Sequence, residues 1–502
     1  MEVQQATPRP PGSAVPRRTV LKAGGVIAAA AATMNLLDAV AWRPLRSAAE
    51  AATLPDIQFD IGAFIAPARM INGVQFQFGP VYTTFATATL SRLPTKAEQA
   101  ALANALNTIE AAYPFTSSGA FTFVSYGLPY FGRLPSALVS ANLPRLASNT
   151  SRFALEEAVP SPTDVHPNNP AIVKRKFNVP LRIETSDLLF TVRSDNPSTI
   201  TDILNWLSGS NRLAGQSTPS PGLPLTFTSM RVMFQQPGMP RLVASNNGLP
   251  FIDVVNDQTP MWMGFADQQT SGGGPAPIVT FQGNASAHLT TASAGSYFDN
   301  GSIQHLSHVI LDLEAFYARA GEAGSDEDEI YLERVQYMHR SNPPPSLGNS
   351  GSPFSNGGGP SFLPNVFQGA GDAQQAAQGS GTINAEHRIG HLAALQRSSR
   401  AADSTPIHIR MDGPGFDSMD VPASVPISWG SRNVPKLQFT VFVPTADFFA
   451  TMRRNQASLD LRDQFAVEDV DNGLERFLTT TRRQNFLVPP RRHRAFPLLE
   501  LT

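Results

Sequence analysis

The order of period-2 and period-3.6 segments limits this chain more than any other feature. Residues 79–91, FGPVYTTFATATL, alternate as a strand does. LPTKAEQAALANALNTIEAAY follows, opening on a Thr95-to-Glu98 capping box and continuing with apolar residues at helical spacing. FTFVSYGLPYF at 121–131 returns to aromatic and β-branched residues, SDLLFTVRSD at 186–195 reads as another strand, and NPSTITDILNWL at 196–207 as a helix entered through Asn-Pro. Strands and helices so interleaved imply an α+β class of the ferredoxin-like kind, with antiparallel sheets and peripheral helices.

A second set of elements follows: PIVTFQGNA near 277, IQHLSHVILDLEAFYARA across 303–320, and KLQFTVFVPTADFFATMRRNQ across 436–456. The last begins as a strand, turns at Pro444 and continues as a helix with Phe448, Phe449 and Met452 at helical spacing. Two similar halves are expected, 53–250 and 251–502. Between 341 and 383 the composition shifts to Pro, Gly, Ser, Asn and Gln, which reads as a flexible insertion.

The first 52 residues read differently. RRTVLKAGGVIAAAAATMNLLDAVA at 17–41 places Arg17 and Arg18 before an alanine-rich apolar run and a small-residue exit, the order of a secretory signal. The run falls short of the ~20 residues a membrane span needs, and Asn35 and Asp38 interrupt it, so no stable span is expected. Its Arg-Arg-x-apolar-Leu-Lys pattern resembles a twin-arginine signal. That resemblance implies the twin-arginine export machinery as a partner, export of an already folded chain, and a periplasmic, cell-surface or extracellular destination.

Composition removes whole classes of chemistry. The 502 residues contain no cysteine, which excludes disulfides, thiolate nucleophiles, iron–sulfur clusters and cysteine zinc sites. A net charge of -2 gives no footprint for nucleic acid. Any metal must be held by histidine, carboxylate or a prosthetic group. His305 and His308 invite a metal reading, but no third ligand stands at suitable spacing, so they read as strand or loop residues. The serines lack a nucleophile-elbow sequence, and no phosphate-cradling loop occurs.

MWMGFADQQTSGG at 261–273 resembles the Gly-x-x-Asp-Gly signature of the dye-decolourising (DyP-type) haem peroxidase family. VSYGLPYFGRLPSALV at 124–139, SDLLFTVRSDNP at 186–197, GSIQHLSHVILDLEAF from 301, GHLAALQRSSR at 390–400, IHIRMDGPGF at 407–416 and LQFTVFVPTADFFATM are similar to further segments of that family, in its order. The resemblance spans about 75–465. It implies one haem b per chain, hydrogen peroxide and an organic reductant as substrates, and haem lying between the second half and its loops.

Carried over by motif, Asp267 would be the distal acid–base, Arg410 the distal arginine and His391 the haem-iron ligand, with Gly264, Phe265 and Gln268 lining the cofactor. His387, four residues before His391, is the alternative ligand. For Arg410 the competing reading is a surface ion pair with Asp412 or Asp417. Trp206, Trp262, Trp429, Tyr331 and Tyr337 read as packing residues or as relays for electrons from bulky reductants. The sequence departs from the family at Gln268, where a second Gly is expected, and over 301–308, which lacks the expected arginines. The alternatives to an exported peroxidase are therefore a non-enzymatic or haem-binding descendant, or a protein that releases iron from haem.

Overall fold

The computed structural model describes residues 54–67, 69–71, 74–76, 78–156, 176–253, 255, 260–263, 276–283, 289–317, 408–449 and 477–502. Its strands are β1 (Arg69–Ile71), β2 (Val74–Phe76), β3 (Tyr82–Leu90), β4 (Phe121–Tyr126), β5 (Arg182–Ile183), β6 (Leu188–Ser194), β7 (Arg212–Leu213), β8 (Gln216–Ser217), β9 (Leu225–Phe234), β10 (Ser302–Leu311), β11 (Ile409–Arg410), β12 (Gly413–Asp417), β13 (Val434–Val443) and β14 (Leu478–Val488). One large sheet runs in the order β11-β13-β10-β14-β4-β6-β3-β9, with β12 paired to β13 and β5 to β14. All of its pairings are antiparallel except β5 with β14. The chain is therefore an α+β protein, as its interleaved periods predict.

The sheet curls until β12 meets β9. A Cβ built on Gly415 would lie 2.9 Å from the Val232 carbonyl oxygen, and one on Gly413 2.8 Å from the Met233 side chain, so only glycine permits this approach. Curling creates a lumen. Phe85, Phe121, Phe123, Leu189, Met233, Leu306, Phe442, Phe486 and Val488, from seven strands, form one cluster inside it. Residues of opposite parity, such as Ala86, Val124, Phe190, Val232 and Val441, face outward and pack under the helices.

The helix α1 (Lys96–Ala112) shows how sequence sets this outer layer. Its capping box forms: Glu98 N donates to Thr95 Oγ1 at 3.2 Å and Thr95 N to Glu98 Oε2 at 2.8 Å, a motif worth about 1 kcal/mol. Leu102, Ala105, Leu106 and Ile109 then bury one stripe. The Asn-Pro entry at 196 also holds, with Asn196 Oδ1 accepting from Ser198 N at the start of the helix Pro197–Leu207.

Two expectations shift. The segment at 121–131 stops being a strand at Tyr126, because Gly127 and Pro129 open a helical turn, Leu128–Phe131. Near 277 there is a 3-10 turn, Ala276–Val279, rather than a sheet strand; Pro277 has no N–H to give a ladder. The 436–456 segment is a strand to Val443 and helical at 447–449, where the described residues end. The 341–383 insertion lies outside the described residues. No described helix is long and apolar enough to cross a membrane.

The seam between β14 and β4 is a single pairing, Leu487 with Tyr126. Gln58 reinforces it: its Nε2 donates to the Val124 and Pro489 carbonyls at 3.2 and 2.7 Å, and its Oε1 accepts from Val124 N at 3.2 Å. Beside it Phe59 stacks on Phe442 in the lumen, centroids 4.3 Å apart. Replacing Gln58 with Ala leaves three buried backbone groups short of a partner, so unfolding should be easier by about 1–3 kcal/mol, read from the denaturant midpoint. A change within ±0.5 kcal/mol would show that the seam holds without it.

Candidate functional site

Of the residues that the sequence nominates for the site, Arg410 lies among those described; Gly264, Phe265, Asp267, Gln268, His387 and His391 lie outside them. Arg410 ends β11, paired to β13 with Ile409 opposite Phe442 and Arg410 opposite Val441. Ile409 packs on the lumen cluster, so the next residue takes the outer face. Register continues that row across the sheet: Val441 faces His305 on β10, and His305 faces Asn485 on β14. The outer face of the second half thus carries Arg410, His305 and Asn485 in line, Arg410 about 10 Å from the His305 backbone at two strand spacings.

Val441 stands between Arg410, which is half-buried, and His305 and Asn485, which are buried. His305 is fully buried, its Nδ1 2.6 Å from Asn485 Oδ1 and its Nε2 2.6 Å from Ser307 Oγ. The Asn485 amide oxygen can only accept, so Nδ1 donates to it, and Ser307 engages the other ring nitrogen. Phe449 stacks on the ring at 3.5 Å and also receives the Arg483 guanidinium at 5.2 Å. Both ring nitrogens of His305 are engaged by side chains. His308, three residues on in the same strand, falls on the opposite face, as strand geometry requires, so the two imidazoles point away from each other. Among the described residues no group of three or more His, Asp or Glu is placed to hold one.

His308 belongs to a charged layer that sequence reading missed. It closes one end of the lumen. His308 Nδ1 lies 2.7 Å from Thr481 Oγ1 and 3.7 Å from Asp420, and its Nε2 lies 3.4 Å from Asp417. Lys436 Nζ donates to the Met419 carbonyl at 2.7 Å and lies 3.6 Å from Asp417. Arg482 holds Asp420 with two hydrogen bonds, 2.5 and 2.6 Å, and lies 3.5 Å from Glu184, which also pairs with Arg231. The Asp417 reading of Arg410's partner is thereby displaced: Asp417 is committed to Lys436, His308 and the Gln438 amide.

Burial and charge compete in this layer. Burial alone would raise Asp417, but Lys436 and His308 hold it well below the usual carboxylate range. Asp420 is likewise pulled down to about 2 against its burial, chiefly by Arg482. Burial drives Lys436 down to about 8 and His308 below its ordinary value, more than the neighbouring carboxylates restore. Polar residues at alternate positions of β10, β13 and β14 were the available signal; it was invisible without knowing that both faces of those strands are buried.

Trp206, Trp262 and Trp429 are buried, and their indoles donate to the carbonyls of Thr218, Gly415 and Asn433 at 3.1, 3.0 and 2.7 Å. Tyr331 and Tyr337 lie outside the described residues.

Fold and site together define a two-part α+β barrel with a polar outer row and a charged lumen. Residues 80–331 and 365–490 match the profile of a family of unknown function, DUF7405, and the chain belongs to that family. No curated protein matches the chain. Among solved structures it is similar to a putative DyP-type peroxidase protein from Shewanella oneidensis, at 12% identity over 85% of this chain and 97% of that one, TM-score 0.44. It is similar to the encapsulated DyP-type peroxidase from Mycobacterium smegmatis, at 13% identity over 84% and 95%, TM-score 0.42. The oxyferrous complex of DtpA from Streptomyces lividans matches at 15% identity over 85% and 93%, TM-score 0.44.

The charged layer makes stability depend on acid in two stages. His308, depressed in the folded state, stays neutral where its unfolded counterpart takes up a proton, so stability falls as pH drops below about 6.5. Glu184, Asp417 and Asp420 are depressed too, so their contribution is present above the ordinary carboxylate range and is lost as pH falls through about 4 toward 2. Unfolding midpoints measured from pH 8 to 3 should show both declines, and His308→Gln should remove the first only. A flat profile between pH 7 and 5 in the parent protein would contradict this.

Proposed function

We propose that this protein is an exported haem peroxidase that reduces hydrogen peroxide and oxidises an organic reductant in one-electron steps. What carries the reading is Arg410. It stands on the outer face of the second half's sheet, in register with His305 and Asn485, inside a segment that resembles the DyP-type peroxidase family's distal-arginine segment. The other motifs of that resemblance, in the same order along the chain, support it.

The residues present are compatible with haem on that face. His305 and His308 have both ring nitrogens engaged, and His493 is stacked on Tyr297 beside Glu500. The resemblance would give the imidazole that holds the haem iron to His391, or to His387. Gly264, Phe265 and Gln268 would line the porphyrin. Haem, when bound, supplies a redox-active iron that takes oxidising equivalents from peroxide and passes them to the reductant.

The chain's own groups manage protons and charge. Asp267 accepts the proton from one peroxide oxygen and returns it to the departing one, which leaves as water. Arg410, always charged, orients that carboxylate and stabilises the negative charge developing on the leaving oxygen. The twin-arginine pattern supports export after folding, which lets a cofactor be inserted before the chain crosses the membrane.

Absorption spectra of the haem-loaded protein test this. The parent protein should show a Soret band that shifts on adding peroxide; His391→Ala should lose or move it, while His387→Ala should not. Asp267→Asn should keep the band but lose peroxide-dependent oxidation by about 100-fold or more, and Arg410→Leu should do the same to a lesser degree. A band unaffected by both histidine variants would pass the ligand role to His408, the buried histidine two residues before Arg410. Failure to bind haem stoichiometrically would reject the peroxidase, and Gln268 in the place of glycine would then favour a non-enzymatic descendant of the fold.

A further inference from the structure

Residues 55–64 lie outside every strand, yet they are bound into the aromatic end of the lumen. Ile57, Phe59, Ile61 and Phe64 are buried in the lumen cluster. Phe59 stacks on Phe442 of β13, centroids 4.3 Å apart, and Phe64 meets Phe115 edge-on at 5.0 Å, which in turn meets Phe121 of β4 at 4.6 Å. The backbone of the segment closes on itself: Asp60 N donates to the Ile57 carbonyl at 3.1 Å, Ile61 N to that of Phe59 at 3.0 Å and Phe64 N to that of Ile61 at 2.9 Å. It shares no ladder with the sheet.

Its anchors come from pieces of chain far apart in sequence. Asn300 Nδ2 donates to Asp56 Oδ2 at 3.0 Å, Arg492 N to Asp56 Oδ1 at 3.1 Å, and the Arg492 guanidinium pairs with the same carboxylate. Arg491 donates from its backbone N to the Asp56 carbonyl at 2.5 Å and from Nε to the Pro55 carbonyl at 2.9 Å. Gln58 spans from Val124 of β4 to Pro489. Residues 489–492 follow β14, so these anchors come together only when β4 and β14 stand side by side.

From this arrangement we infer that residues 55–64 are a strap, a unit that docks last on the finished barrel and lifts from it, opening the β4–β14 seam and the aromatic mouth of the lumen while the strand ladders stay intact. Lifting breaks no strand pairing and leaves the strap's own turns closed. The entropy that the freed segment regains is of the same order as the gain from burying its four apolar side chains, so the polar anchors decide between the two states. The strands, held by ladder and core together, open far less readily. A strap of this kind works with or without a cofactor.

The chain has no cysteine, so one introduced thiol reports on one place. Ile61→Cys puts it in the strap and Leu306→Cys in the lumen wall on β10, both positions being buried. Maleimide labelling of the full chain should be on the order of tenfold or more faster at 61 than at 306. Asp56→Ala removes the Arg492 and Asn300 anchors and should accelerate labelling at 61 by about tenfold, leaving 306 unchanged. Hydrogen exchange of the chain without an added thiol gives a second reading: the amides of 55–64 should exchange together, and the Val124 amide, whose partner is Gln58 Oε1, should exchange with them, ahead of the rest of β4. Equal labelling at the two positions, or acceleration by Asp56→Ala at both or at neither, would overturn the strap. A Val124 amide protected as long as its neighbours in β4 while the strap exchanges would overturn the opening of the seam.

Discussion

Closure of one sheet on itself is the constraint from which the rest follows. Once β12 reaches β9 through Gly413 and Gly415, the central strands have no solvent-facing side, and the sheet alternation that elsewhere separates core from water separates two interiors. The outer interior lies under helices and is largely apolar. The lumen cannot be filled that way along its whole length: its apolar end is packed by Phe85, Phe121, Phe123, Phe442 and Phe486, while its other end holds Arg231, His308, Lys436 and three carboxylates. Charges so placed must be matched almost one to one, because an unpaired ion there is far costlier than a hydrophobic residue.

That matching also ties the two halves together. Glu184 precedes β6 of the first half, yet it engages Arg231 from β9 and Arg482 from β14. Gln58 performs the neutral equivalent farther along β14, borrowing backbone groups from β4 and from the residue after β14. Each seam has few strand-to-strand hydrogen bonds of its own. Side chains therefore complete the barrel where the backbone ladder thins.

Local periodicity made the elements legible and left their assembly hidden. The Thr95 capping box, the Asn196 cap and the strands at 82–90 and 188–194 are decided by neighbours in sequence, and they stand where the pattern places them. Prolines account for the two displaced elements, at 129 and 277, by withdrawing donors that a strand needs. The charged layer was illegible for another reason. Lys436, Gln438 and Thr440 alternate with apolar residues just as an exposed strand face would, so pattern alone gives them to solvent. Of the nominated site, Arg410 can be located in the fold, while Asp267 and His391 belong to segments outside the described residues, where the motif resemblance stands by itself.

Which interior Arg410 faces is settled by register, and the register is held from one side. β11 is only two residues long, and a slip by one would turn Arg410 into the aromatic lumen and Ile409 out beside His305. Downstream contacts prevent this. Met411 N donates to the Thr440 carbonyl at 2.9 Å, Met411 itself packs in the lumen cluster, and Gly413 must stay where β9 leaves room for no side chain. The same glycines that close the barrel therefore fix the phase of the strand that presents Arg410, so a side chain introduced at 413 would disturb the outer row by altering register, three residues from the guanidinium and without touching it.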